Sequence, residues 1–571
     1  MAGATNQKLS ERLPRLTRAV DRPCHGKFSA AMYLACGGIF RFEVLTGKMP
    51  TFAAIDIGSN SCRLKIASVQ MHRLKTLHED REVTRLGESV FQTGVISPEA
   101  MAATIRALKR FHKAVQMHVA DKVRVVATSA MRDARNADAF TEWVRSATGW
   151  NVEVISGLEE GRLIHLGVVT HEVGARGRCV LIDLGGGSCE VTLSDGGRIK
   201  SMASMALGAV RLQQEFLTID PPAKEDVARL KQYIDRELKK AERKIGMPRA
   251  ALVIATSGTA AALAEASGYA RKKTAAKDKK KTLAKRRVEH VGSLTADVGE
   301  VRALTDRLVK MRDEQRAAVP GIGPRRSEII VGGALVYSSL MDRFGLKSLR
   351  YSPLGLRDGI LAQMLGDVDL RASVHQKIES ERWAGVLEVC ERYGIELRRA
   401  EPVRQHVVEL FNATTRVHEL PEEYRLWLES AAMMQEVGKF MNHQGHHRHA
   451  QYIIANSEIF GFSPEQRAIV SALARYLGKT RPDAMDRVMR TIPLEQHSNV
   501  VRAVVLLRLA VALNQDRASA VVRMRVHVYP KRILLELVPG RGGAELEAWS
   551  LKKEAAYFRE VFRRELFVEV V

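Results

Sequence analysis

The sequence predicts an α/β protein: two α/β domains flanking a cleft, then an all-helical domain and a small α+β domain. Three observations carry this expectation. Apolar runs of strand length alternate with helical spacing over the first two-thirds of the chain. A strand–glycine turn–strand unit occurs twice, in AAIDIGSNSCRLKIA and in VLIDLGGGSCEVTL, as expected of duplicated halves. From about Asp369 the apolar spacing turns helical, and it alternates again only near the C-terminus.

The elements follow in order. Phe52 to Ile57 is an apolar run ended by Gly58, and Cys62 to Val69 resumes an extended pattern, giving a strand, a tight turn and a return strand. Pro98 to His118 has helical spacing of Ile105, Leu108, Phe111 and Val115. Val123 to Ala127 is strand-like, and a helix follows from about Ala134. After a short strand at Asn151 to Ile155, Ser156 is placed to cap a helix carrying Glu159 and Glu160. The pattern restarts with the strand Cys179 to Leu184, and Val253 to Ala255 precedes the helix of TSGTAAALAE. Helical spacing recurs in Trp383 to Tyr393, His406 to Phe411, Trp427 to Val437, Pro464 to Tyr476 and Val500 to Leu513. Val521 to Val528 alternates, Ile533 to Leu537 follows, and a helix from about Lys552 precedes FVEVV. The expected domains are therefore 49–178, 179–368, 369–516 and 517–571.

Two segments stand outside this scheme. Residues 1–48 are basic and lack a motif. Their apolar run, Ser29 to Phe40, comes too late for a signal peptide, so they are expected to be a loose extension or to precede a native start near Met49. Residues 271–290 hold ten Lys/Arg against two Asp/Glu and almost no large apolar side chain, which reads as a surface insertion, disordered in part.

Composition narrows the function. The 571 residues are 46% hydrophobic and 27% charged, enough for sizeable cores. A net charge of +24 favours acidic partners: phosphates, polyphosphate or nucleic acid. Six scattered cysteines without a CxxC pair exclude a disulfide scaffold and a zinc ribbon. Aromatics are only 6%, and no aromatic-interleaved basic patch marks a single-strand binder, so nucleic acid is not expected as a partner. Val500 to Leu513 is too short to span a membrane and is broken by Arg502 and Arg508, so no membrane is expected and the compartment reads as cytoplasmic.

The chemistry gathers at the glycine turns. A turn after a strand exposes N–H groups that cradle an anion, and here Gly58, Ser59 and Asn60 form one such turn and Gly185, Gly186, Gly187 and Ser188 the other. Each follows an aspartate at a strand end, Asp56 or Asp183, and Glu190 on the second return strand can reach the same place as Asp183. Carboxylates beside a phosphate nest call for a metal ion to offset repulsion, most often Mg²⁺. The turns match neither the P-loop nor the dinucleotide-binding pattern. Hydrolysis also needs a base. Glu159 and Glu160 are adjacent, about 100° apart on a helix, so at most one can face the reacting phosphorus.

These stretches, with TRLGESV, VVATSAMRDARN, VISGLEEGRLIHLGV, ALGAVRL, ATSGTAAALAE, IIVGGALVYSSLM and YSPLGLRDGIL in that order, resemble the exopolyphosphatase / guanosine pentaphosphate phosphohydrolase family. That family belongs to the sugar kinase–actin–Hsp70 superfamily. The resemblance implies two actin-like (ribonuclease H-like) domains, an HD-like helical domain and a small C-terminal domain, and a homodimer. It implies removal of the terminal phosphate of inorganic polyphosphate, or of the 5′ γ-phosphate of guanosine pentaphosphate, by water and without a covalent intermediate. By resemblance Glu160 is the general base, with Gly161 standing where the motif has alanine. Asp183 and Glu190 are Mg²⁺-associated acids (Mn²⁺ can replace it), and Asp56 is the first phosphate-loop aspartate, taken here as a metal residue as well. Arg132 holds phosphate, and Arg85 is a further candidate for positive charge at the cleft, as Glu159 is for the base.

The helical domain departs from a working HD metal site. His406 can supply the first histidine, but the His-Asp pair corresponds to Gln435-Glu436 and the distant aspartate falls at about Val511. His443, His446, His447 and His449 keep a metal-like spacing. The domain is expected to pack on the core and lengthen a basic groove, with Asp516 and Arg517 structural or interfacial. Exopolyphosphatase is the first expectation and guanosine pentaphosphate hydrolysis the second. An actin-like ATPase and a non-catalytic polyanion binder rank below them, because Asp56, Glu160, Asp183 and Glu190 are all present.

Overall fold

The computed structural model describes residues 50–248, 250, 252–278, 294–515, 521–540 and 542–571. The extension 1–48, residues 279–290 of the basic segment, Asp516 and Arg517 lie outside the described residues. The basic segment does not begin as a loop. The helix Ser257–Asp278 runs eight residues into it, and Arg271 there pairs with Glu300 at 2.8 Å.

The first sheet comprises β1 (Thr51–Ile57), β2 (Ser61–Gln70), β3 (Arg73–Val83), β4 (Lys122–Ala127) and β5 (Val152–Val154), in the order β3-β2-β1-β4-β5. The second comprises β6 (Cys179–Leu184), β7 (Cys189–Asp195), β8 (Arg198–Met205), β9 (Leu252–Thr256), β10 (Thr295–Asp297) and β11 (Ser348–Tyr351), in the order β10-β11-β9-β6-β7-β8. Read from β8, the second sheet repeats the first. An antiparallel meander is followed by strands added parallel to its innermost member, with β10 as an extra edge. The duplication inferred from two glycine turns is therefore a duplication of whole sheets. The central strand β1 reads as a continuous apolar run because helices cover both its faces; Phe52, Ile55 and Ile57 are at most 1% exposed. The strand β3 has no apolar face in RLKTLHEDREV and lies on the sheet edge, which is why spacing alone did not mark it.

Two helices stitch the halves together. Gly157–His171 leaves the first sheet and packs against β7 and β8 of the second, while Leu356–Val368 returns from the second half onto β1 and β2. Lys65 of β2 pairs with Asp358 at 2.8 Å, and Arg357 Nη1 donates to the carbonyl of Leu64 at 2.8 Å. The last helix of the segment 179–368 thus belongs spatially with the first half. Where the two helices cross, a Cβ on Gly167 would stand 2.7 Å from the backbone N of Gly359, and one on Gly359 would overlap the carbonyl of Leu163. Backbone cannot rotate away as a side chain can. Gly359→Ala is expected to cost about 3 kcal/mol in urea unfolding by prising the helices apart.

From Ser373 to Ala512 the chain is helical, and the C-terminal strands β12 (Val521–Val528), β13 (Arg532–Pro539) and β14 (Glu565–Val570) form a three-stranded sheet covered by the helix Glu545–Phe562. One apolar core runs continuously from Val386 to Leu566, so this sheet and the helices are a single packing unit. No helix among the described residues is long and apolar enough to cross a membrane.

Candidate active site

A cleft of about 640 Å³ opens between the two sheets. Its lining includes Asp56, Gly58, Ser59, Asn60, Glu160, Asp183 and the turn Gly185 to Ser188, so the two predicted turns share one cavity. They also touch. A Cβ on Gly186 would come within 3.1 Å of Ser59 Cβ and 3.2 Å of the Asn60 nitrogen, and one on Gly187 would meet the Phe91 ring at 2.6 Å. Glycine is needed for this close approach, and the N–H groups of Gly58 and Gly185 close the two hairpins onto the carbonyls of Ser61 at 3.2 Å and Ser188 at 2.9 Å.

The register of the two hairpins places the charges. Asp56 lies opposite Arg63 on β2, and Asp183 lies opposite Glu190 on β7. The sequences superpose as D-x-G-x-x-S-C followed by Arg in one half and Glu in the other. Asp56 is pushed up by burial, with Arg63 and then Arg357 opposing the rise. Asp183 is also pushed up by burial, but its relief comes first from the hydroxyl of Thr256, which donates to Oδ1.

Glu160, Asp183 and Glu190 place a carboxylate oxygen each within 4.8 Å of one another. Burial and mutual repulsion raise Glu190 well above the usual carboxylate range. Its Oε1 accepts from Ser204 Oγ at 2.7 Å, and its buried Oε2 has no hydrogen-bond partner. Three repelling carboxylates with one orphaned oxygen form an all-oxygen donor set that fits a hard divalent cation. Among the described residues this is the one group of three or more such side chains close enough to hold a metal ion, and Asp56 falls outside it.

Glu160 is 7% exposed, and burial pushes its carboxyl up to about 7, with Arg132 opposing and Asp183 reinforcing the rise. Arg132 Nη1 donates to Glu160 at 3.0 Å and to the carbonyl of Ile155 at 2.8 Å, and its Nη2 reaches Ser188 Oγ at 3.5 Å. Arg132 thus ties the glutamate to the second turn. Glu159 faces elsewhere, held by Arg162 through two bonds of 2.8 Å. The helix is not loosened by Gly161: Met202 Sδ stands 2.5 Å from where a Cβ would be and fills the space. Arg85, like Arg132 and Glu190, is not among the residues lining the cleft. Its guanidinium is half-exposed and engaged by Glu88 at 3.0 Å and Glu328 at 3.3 Å.

The positive wall of the cleft escaped the sequence reading. Arg63, Arg81, Arg326 and Arg357 all line it. Burial lowers Arg81, Arg326 (to about 10) and Arg357, and repulsion among the arginines lowers them further. Arg63 and Arg81 sit directly opposite across β2 and β3, a like-charge pair that is unfavourable without an anion. The charges acting on Arg81 are all arginines, and on Arg326 Glu265 partly offsets the repulsion of Arg81 and Arg63. Ser257 also lines the cleft with a left-handed φ of 71°, its hydroxyl bonded to the carbonyl of Leu184 at 2.6 Å.

Among the described residues the histidines of the helical domain do not assemble a group that could hold a metal ion. His406 is buried with Glu409 at 3.6 Å, His446 Nδ1 contacts the carbonyl of His443 at 3.1 Å, and the His447 ring covers Gly478.

Residues 65–368 match the Ppx/GppA phosphatase family, and residues 382–555 match domain III of Ppx/GppA phosphatases. Among solved structures the chain is similar to an exopolyphosphatase from Cytophaga hutchinsonii, at 26% identity over 56% of this chain and 99% of that one, with a TM-score of 0.49. It is also similar to the Aquifex aeolicus member of the Ppx/GppA family, at 28% identity over 56% of this chain and 98% of that one, TM-score 0.45. A third, an exopolyphosphatase-like protein, is 28% identical over 55% of this chain and 96% of that one, TM-score 0.49.

Proposed function

The chain belongs to the Ppx/GppA phosphatase family, and from that premise we propose that it is an exopolyphosphatase, releasing the terminal phosphate of linear inorganic polyphosphate by attack of water. The observation that carries the choice of substrate is that four arginines, Arg63, Arg81, Arg326 and Arg357, line the cleft, alongside Glu79, Asp80 and Asp358. ATP offers its charge at one end and guanosine pentaphosphate on two arms of a ribose, whereas a phosphate chain offers it along its whole length, and four arginines distributed over the cleft wall suit the latter.

In this reading the backbone N–H groups of Ser59 and Asn60 and of Gly186, Gly187 and Ser188 cradle the terminal phosphates, while those of Gly58 and Gly185 close the hairpins. Glu160, with a carboxyl near neutrality, accepts the proton of the attacking water while Arg132 fixes its direction. The water oxygen bonds to the terminal phosphorus, the bridging P–O bond breaks, and a chain one phosphate shorter leaves. Asp183 and Glu190, with Glu160 beside them, would hold Mg²⁺ or Mn²⁺; such an ion supplies charge compensation for the phosphoryl oxygens. Asp56, opposed by Arg63 and Arg357, orders that wall rather than the ion.

Phosphate release from long polyphosphate, guanosine pentaphosphate and ATP, compared as kcat/KM, tests the proposal. Polyphosphate is expected to lead. A lead for guanosine pentaphosphate would assign the second family activity, and turnover of ATP alone would sink both.

A further inference from the structure

The helical domain grips the helix that carries Glu160 at two points of its first turn and a half. Ser156 caps this helix. Its hydroxyl oxygen accepts from the Glu159 N–H at 3.0 Å and donates its proton to Oε1 of Glu458, just beyond the helix His446–Asn456. Further along, Arg162 is 1% exposed. Besides Glu159, its guanidinium donates to Glu381 on the helix Ser373–Arg392 at 2.9 Å and to the side-chain oxygen of Gln363. Gln363 Nε2 donates in turn to the carbonyl of Gly461 at 3.0 Å, which also accepts from Arg382 Nε at 2.8 Å. Glu458 and Gly461 share one loop, and Glu381 and Arg382 share one helix. Two separate segments of the helical domain therefore converge on the start of this helix.

Glu458, Glu381 and Arg162 are not among the residues lining the cleft. Yet Glu159 and Glu160 are consecutive, so any slide or rotation of this turn moves the Glu160 carboxylate with it. Arg132 holds Glu160 beside Ser188 of the second turn, and Arg162 holds its neighbour on another face of the helix. A displacement of about 1 Å at a reacting group costs up to roughly 100-fold in rate.

We propose that Ser156 and Arg162 are positioning residues, through which Glu458 and Glu381 of the helical domain set the carboxylate of Glu160. This rests on the reading of Glu160 as the base. The helical domain is then a working part of the active site rather than an appendage that only widens substrate contact.

Glu381→Ala, Glu458→Ala and Ser156→Ala in the full chain test this, each made alone and on a Glu160→Gln background. The expected result is a fall in kcat of about tenfold with KM for polyphosphate within about twofold. On the Glu160→Gln background the same changes should leave the residual rate unaltered, because the group they act through is gone. If these contacts only glue the domains together, the thermal midpoint falls while kcat per folded molecule stays, or both backgrounds lose equally; either result overturns the proposal. Should Glu381→Ala fail to fold, the Glu458 and Ser156 variants carry the same comparison. Near-normal turnover by Glu160→Gln alone would refute the base assignment itself, whereas a dead Glu160→Gln with normal outer variants would refute only the positioning role.

Discussion

Glu160→Gln is expected to lower kcat by about 10²–10⁴-fold while polyphosphate affinity stays within a few-fold. The amide oxygen can still accept from Arg132, so the side chain keeps its place. What it loses is the capacity to take a proton at a carboxyl that burial has raised to about 7. The substrate is proposed to be held by the turns and the arginine wall, which this change does not touch. Single-turnover phosphate release together with equilibrium binding separates the two terms. Glu159→Gln serves as the register control: that side chain is spent on Arg162, so a dead Glu159 variant beside an active Glu160 variant would move the base by one residue.

Asp183→Asn should lower turnover on the order of 100-fold, and excess Mg²⁺ should not restore it fully. Asparagine retains an oxygen for the Thr256 hydroxyl, and it relieves one of three mutually repelling carboxylates. The metal-free variant should therefore be no less stable than the parent. The second readout is the rise in thermal midpoint on adding Mg²⁺, which follows from binding to the folded state alone. The parent should show it and the variant should lose it. An unchanged metal-induced shift in Asp183→Asn would take Asp183 out of the ion's surroundings.

The site was legible where chemistry and local geometry coincide. A tight turn fixes which residues of its two strands face each other, so Asp183 and Glu190 could be paired by counting, and a helix puts Glu159 and Glu160 on different faces. The same count applied to the first turn pairs Asp56 with Arg63. That signal was present in DIGSNSCR and went unused, because an arginine after a turn is common. Arg81, Arg326 and Arg357 carry no such local mark. They reach the cleft through an edge strand, a distant loop and a helix that crosses back from the other half. Arg85 is a different case: its N–H donates to the Asn60 carbonyl of the first turn at 3.1 Å, while its guanidinium is engaged by Glu88 and by Glu328, far along the chain. The grip of the helical domain on Ser156 and Arg162 likewise depends on partners some 200 to 300 residues away, which no spacing rule connects.

One change of charge separates the two glycine hairpins. Where the first carries Arg63, the second carries Glu190, in the same register opposite an aspartate. The first half is thereby electrically self-sufficient, with a counter-charge encoded in its own gene. The second, on the proposed reading, borrows its counter-charge from the surrounding medium. A scaffold built by copying has thus divided its dependence on dissolved ions unequally. Depleting the medium of divalent ions would disarm one copy and leave the other intact, so an ion-starved molecule should still recognise the polyanion it can no longer cut.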